Sequence, residues 1–164
     1  MSSEASGRVI VDWLNVTFGI DNAAALGMTF PNVFRNGDIY VGLSAQYVGV
    51  ASAKLNDPNR YASLVHPGDS YSYDIYSQGG MALRSGYGKM LGGVKPKMII
   101  STGFSQSAMR LSTYVNTLAP LHNVYDGYLV KSRGSTGTPL KEAPGTVNVT
   151  VNGAATQVKN GNVG

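Results

Sequence analysis

One stretch constrains this chain more than any other: Met98-Ile-Ile-Ser-Thr-Gly103-Phe104-Ser105-Gln106-Ser107-Ala108-Met109-Arg110-Leu111. A short apolar run passes through Gly-x-Ser-x-Ser directly into a helical pattern, with Ala108, Leu111, Val115 and Leu118 on one stripe. No loop separates the two. A strand can turn that abruptly into a helix only if the residues two before and two after the turning serine are small, because the two backbones nearly touch. Gly103 and Ser107 meet that demand. The turn holds Ser105 in a strained conformation and lifts its hydroxyl above the sheet edge, as in a nucleophile elbow with serine replacing the second glycine. The Gln106 backbone N–H then lies at the helix N-terminus, aimed at a developing oxyanion. The competing reading is a serine N-cap at an ordinary strand-to-helix turn.

The rest of the chain alternates in the same manner. Arg8–Leu14 and Asp38–Ser44 read as strands, Lys97–Thr102 as a strand covered on both faces, and Val124–Lys131 as a fourth. A small helical pattern covers Asn22–Leu26, and Lys54–Asp69, rich in Asn, Pro and Gly, reads as a long loop. Ser70–Leu83 reads as a helix capped by Asp69 or Ser70, with Tyr71, Ile75, Ala82 and Leu83 inward. Ser105–Leu118 is the second large helix, stopped by Pro120. Strands separated by helices imply crossovers and a parallel sheet with helices against it, an α/β fold. After Gly134, Thr146–Val151 alternates, and Asn152-Gly153 is a turn signal before Ala154–Val158.

Composition narrows the chemistry. A length of 164 residues suits one domain. The absence of cysteine removes thiolate metal sites, disulfides and cysteine nucleophiles. The net charge of +4 is spread without a basic cluster, so nothing marks a nucleic-acid face. No run approaches the roughly 18 apolar residues of a membrane-spanning helix. The polar Met1–Gly7 start with Glu4 is unlike a secretory signal. No metal spacing, phosphate loop or dinucleotide fingerprint is present, so no cofactor is expected.

Several ordered motifs make the chain resemble a family of α/β-hydrolase domain proteins. They are Gly7-Arg-Val-Ile-Val-Asp-Trp-Leu-Asn-Val16, Tyr40-Val-Gly-Leu-Ser-Ala-Gln46, Tyr61–Ile75, Thr102–Leu111, Thr113-Tyr-Val-Asn116 and Tyr125–Gly134. The resemblance covers residues 7–134 and implies that the four strands correspond to the third to sixth strands of that fold. It also implies that Ser105 is the nucleophile of a carboxylic-ester hydrolase acting on a small-molecule ester. The loop after the first strand would supply a second oxyanion N–H, from Val16 or Thr17.

The family's order of nucleophile, acid and histidine along the chain has no counterpart after Gly134, where Glu142 is the only carboxylate and there is no histidine. The chain therefore reads as the central portion of a larger hydrolase: residues 1–134 a partial α/β-hydrolase domain, 135–164 a divergent tail, hairpin or disordered. The alternative is a non-catalytic remnant or binding module that keeps half the fold. His66, with Asp69, is a candidate base on the ligand side of the sheet. The competing reading makes it a loop histidine bonded to backbone. His122 lies beyond the far end of the second helix and reads as structural. Arg110, five residues past Ser105, points away from the serine and reads as a surface or ion-pairing residue. Tyr71, Tyr73 and Tyr76 read either as an acyl pocket or as packing.

Overall fold

The computed structural model describes residues 5–142, 146–151 and 154–159. Four strands, β1 (Arg8–Trp13), β2 (Ile39–Leu43), β3 (Met98–Phe104) and β4 (Gly127–Lys131), form one sheet in the order β2-β1-β3-β4. All three pairings are parallel, with Trp13 opposite Leu43 on one side and Gly103 on the other. The α/β expectation holds.

The helices are α1 (Ala24–Arg35), α2 (Tyr47–Asn56), α3 (Pro58–Tyr61), α4 (Ser72–Ser85), α5 (Tyr87–Met90), α6 (Gln106–Thr117) and α7 (Ala119–His122). A 3-10 turn, Asp69–Tyr71, leads into α4. Strands β5 (Thr146–Val151) and β6 (Ala154–Lys159) pair antiparallel, Val151 opposite Ala154. The Asn152-Gly153 turn expected between them lies outside the described residues, as do Met1–Glu4.

The core forms where α4 and α6 cover the sheet. Trp13 stacks on Tyr76 with ring centroids 4.3 Å apart, and Tyr114 and Tyr125 pack around the same ring. Each buried phenol finds a partner for its polar tip, as such residues must. Tyr76 donates to the Val11 carbonyl at 3.1 Å and shares a bond with Ser101, while Tyr125 donates to the Tyr76 carbonyl. Helix α4 comes close because Gly80 carries no side chain. A Cβ there would sit 2.5 Å from Val124 Cγ1.

Three expectations need correction. The segment Lys54–Asp69 is not one long loop, since α2 and α3 occupy Tyr47–Asn56 and Pro58–Tyr61. The residues that read as breakers are helix starters: Pro58 opens α3, where its missing N–H costs nothing, and Asp57 caps it by accepting from the Arg60 N–H. The small pattern at Asn22–Leu26 belongs to a twelve-residue helix that tolerates Pro31. In α4 the inward face is Tyr73, Tyr76, Ser77, Gly80 and Leu83, while Tyr71 is 55% exposed. The 3-10 turn places Tyr71 before the α-helix, so the helical phase begins later than the sequence pattern suggested. Tyr73 and Tyr76 are core packing.

Candidate active site

The sheet order creates a crevice. From β1 the chain crosses to β2 on one side, and from β3 it crosses to β4 on the other. Ligands of open α/β sheets bind beyond the carboxyl ends of strands where the direction reverses in this way. The two segments leaving those ends are Leu14–Asn22, after β1, and the β3–α6 turn.

Ser105 is that turn. It is half-buried and holds φ 57° and ψ −113°, a left-handed-side conformation that a side-chain-bearing residue adopts only when its surroundings force it. Its N–H donates to the Lys131 carbonyl at 3.0 Å, and its own carbonyl accepts the Met109 N–H that begins α6. An ordinary N-cap serine has extended backbone and bonds a first-turn amide through its oxygen. Ser105 does neither, and among the described residues its hydroxyl has no hydrogen-bond partner.

The flanking small residues explain the turn. A Cβ on Gly103 would lie 3.1 Å from the carbonyl carbon and oxygen of Ser107 and 3.2 Å from the Ala108 nitrogen. Strand and helix do nearly touch. Ser107 adds something its size alone did not suggest: its hydroxyl accepts from the Phe104 N–H at 3.0 Å and donates to the Phe104 carbonyl at 3.1 Å. Both polar groups at the strand end are thereby satisfied.

The segment after β1 is fastened to this turn by amide side chains. Asn15 donates to the Phe104 carbonyl at 2.7 Å and accepts from the Thr17 N–H at 2.9 Å. The Gln106 side chain is buried; its Oε1 accepts from the Val16 N–H at 3.4 Å, and its Nε2 donates to Gln46 Oε1 at 3.1 Å. The Gln106 N–H, first in α6, has no intrahelical acceptor. Val16 thus lies beside the β3–α6 turn. Its amide, however, already faces the Gln106 side chain across a long bond, and the Thr17 amide is taken by Asn15.

The two imidazoles are engaged elsewhere. His66 Nδ1 accepts from the Gly68 N–H at 3.1 Å, which leaves Nε2 to donate to the Ala45 carbonyl, also at 3.1 Å. With both nitrogens bonded to backbone, His66 is a loop-shaping residue in this arrangement. Asp69 does not orient it. One carboxylate oxygen accepts from the Tyr47 N–H at 2.7 Å and the other from Arg110 at 3.0 Å. His122 Nδ1 bonds Ser77 Oγ at 2.7 Å, beyond the opposite end of α6 from Ser105.

Of the two roles expected of Arg110, surface or ion-pairing, the structure shows the ion-pairing one, in the interior. Arg110 is fully buried, paired with Asp69 at 3.0 Å and Glu142 at 2.7 Å, and donates to Ser72 Oγ. This cluster joins α6, the start of α4 and the segment after β4. Sequence reasoning also missed Asp12, 1% exposed near the carboxyl end of β1. Burial pushes its carboxyl up to about 6, against a 2.7 Å bond from the Tyr40 hydroxyl and the nearby Lys131 charge. Only its placement in a strand covered on both faces could have signalled this.

The family model described as alpha/beta hydrolase domain matches residues 2–162. The chain belongs to the alpha/beta hydrolase domain family. The matched span takes in the segment after Gly134 as well as the sheet. No curated protein and no solved structure matches the chain. Among the described residues, no helix is long and apolar enough to cross a membrane.

Proposed function

We propose that this member of the hydrolase family is a serine hydrolase of the carboxylic-ester type, in which Ser105 is the nucleophile. The observation that carries this reading is the backbone of Ser105, at φ 57° and ψ −113° between β3 and α6, with the glycine at 103 fitting against the Ser107 backbone. Such a strained serine with an unbonded hydroxyl persists only where the surroundings over-determine it, and such positions cluster at active sites. In the reaction Ser105 Oγ attacks the ester carbonyl, forming a C–O bond as its proton passes to a base. The Gln106 N–H holds the resulting oxyanion, helped by the α6 N-terminus. The Val16 N–H is the second donor, released when the oxyanion replaces Gln106 Oε1 as its acceptor. At 3.4 Å the bond it gives up is a weak one.

A serine hydroxyl needs an adjacent base at neutral pH. The proposal assigns base and acid to residues other than His66 and His122, because both imidazoles are bonded away from Ser105. Taken alone, the chain then has little esterase turnover. A second reading, a non-catalytic module retaining part of the fold, draws on the same histidine geometry and on the occupied Val16 and Thr17 amides.

The test is hydrolysis of p-nitrophenyl acetate by the purified chain beside its Ser105→Ala variant. A small rate lost in the variant supports the proposal, since oxyanion stabilisation alone leaves residual catalysis. Ser105-dependent turnover above about 1 per second would overturn the assignment of the base and return His66 to that role. Equal rates in both proteins would favour the non-catalytic module.

A further inference from the structure

Helix α2 spends its apolar residues in an unusual place. Gly49 is its one fully buried residue. Tyr47, Val50, Ala51 and Leu55 fall on one stripe and form a wall of a cleft of about 510 Å³, with Leu64 and Val65 opposite. That volume lies within the roughly 300–1,000 Å³ typical of small-molecule sites. Leu55 is 71% and Val65 87% exposed, so the hydrocarbon is uncovered.

Two of the polar groups along the cleft, His66 and Lys54, help hold its walls together. At one end His66 Nε2 donates to the Ala45 carbonyl, and its ring meets Tyr47 edge-on at 6.0 Å. At the other, Lys54 Nζ donates to the Leu64 carbonyl at 2.8 Å, joining helix to loop. The rest of the lining is mainly apolar, with the Tyr47 hydroxyl and the Lys54 ammonium as the polar groups that still face it. Eight steps along α2, from Tyr47 to Leu55, give a length of about 12 Å at about 1.5 Å per residue. The near end adjoins Gln46, whose side chain is bonded to Gln106, the residue after Ser105.

We propose that this cleft binds an unbranched alkyl chain of medium length, the acyl part of the ester. The link to Ser105 rests on the hydrolase reading above; the alkyl preference rests on the cleft walls alone. A mainly apolar trough about 12 Å long, pinned at both ends, suits a flexible hydrocarbon, which gains from burial and asks for no hydrogen bonds.

Calorimetric titration of the full chain with decanoate, below its micellar range, tests the cleft, with acetate as the comparison. The expected result is saturable one-to-one decanoate binding and none of acetate. Ala51→Trp, which fills the trough, weakens binding at least tenfold with an unchanged melting temperature. If that variant fails to fold, Val65→Asp, on an exposed loop position, gives the same loss. Unsaturable decanoate binding by the native chain, or binding unchanged in the folded variants, overturns the proposal. Ser105→Ala separates the two readings. Decanoate binding retained there, with no Ser105-dependent chemistry in the native chain, keeps the cleft and defeats the hydrolase reading. Ser105 chemistry without decanoate binding defeats the cleft alone.

Discussion

Adding one methyl group at Gly103 should unsettle the elbow more than any change of similar size nearby. In Gly103→Ala the new Cβ falls 3.1 Å from two Ser107 backbone atoms and 3.2 Å from the Ala108 nitrogen. Those neighbours are main chain at the start of a helix, so they cannot rotate aside as a side-chain tip would. Relief requires moving α6 off the end of β3, which strains the Ser107–Phe104 bonds and the Ser105–Lys131 bond. Overpacking of this kind costs about 1–3 kcal/mol. For a chain of this length each kcal/mol lowers the melting temperature by about 2–4 °C, so the expected drop is about 2–12 °C. Gly27→Ala is the matched control. It lies inside α1 with nothing within 4 Å of the added atom, and should be neutral or stabilising by about 0.5–1 kcal/mol. Thermal unfolding followed by far-UV circular dichroism reads both. Equal melting temperatures for Gly103→Ala and the native chain would refute the close-approach argument.

Ser105→Gly should be more stable than Ser105→Ala in chemical denaturation, because glycine relieves a strain worth about 1–3 kcal/mol and alanine does not. Asp12 has its carboxyl raised from 3.8 to about 6, chiefly by burial, so the folded state holds the proton more tightly than the unfolded state. Its contribution is fully favourable below about pH 4, declines as pH rises towards 6 and is absent above that. Asp12→Asn should flatten this decline in urea midpoints between pH 4 and 7, and should be the more stable protein at pH 7. Arg110→Met leaves Asp69 and Glu142 buried without a cation and should cost about 3–5 kcal/mol. The triple variant with Asp69→Asn and Glu142→Gln should recover much of that loss, measured by the same denaturation curves.

What the sequence revealed, and what it hid, divides by the range of the interactions. Strand β3 and helix α6 were readable because period and residue size are local, and Gly103 and Ser107 announced the turn between them. The phase of α4 was misread because a 3-10 turn at Asp69–Tyr71 has no distinct pattern. Helices α2 and α3 were hidden because Asp57 and Pro58 start helices as readily as they end them. The amide bonds that tie Gln46 and Asn15 to the elbow join residues 60 and 89 positions apart, which no spacing rule reaches. That Arg110 is an ion-pairing residue was one of two local readings, but its burial and its partners were hidden for the same reason, since the carboxylates lie 41 and 32 positions away.

The central claim, that Ser105 is a nucleophile waiting for a base, is tested most directly by chemical rescue. The purified chain is treated with a fluorophosphonate probe at increasing concentrations of imidazole, which can take the serine proton from solution. The modified residue is located by mass spectrometry. The account predicts slow modification at Ser105 that accelerates with imidazole and disappears in Ser105→Ala. Rapid labelling of Ser105 without imidazole would contradict the assignment of the base. No labelling of Ser105 at any imidazole concentration would contradict the nucleophile itself.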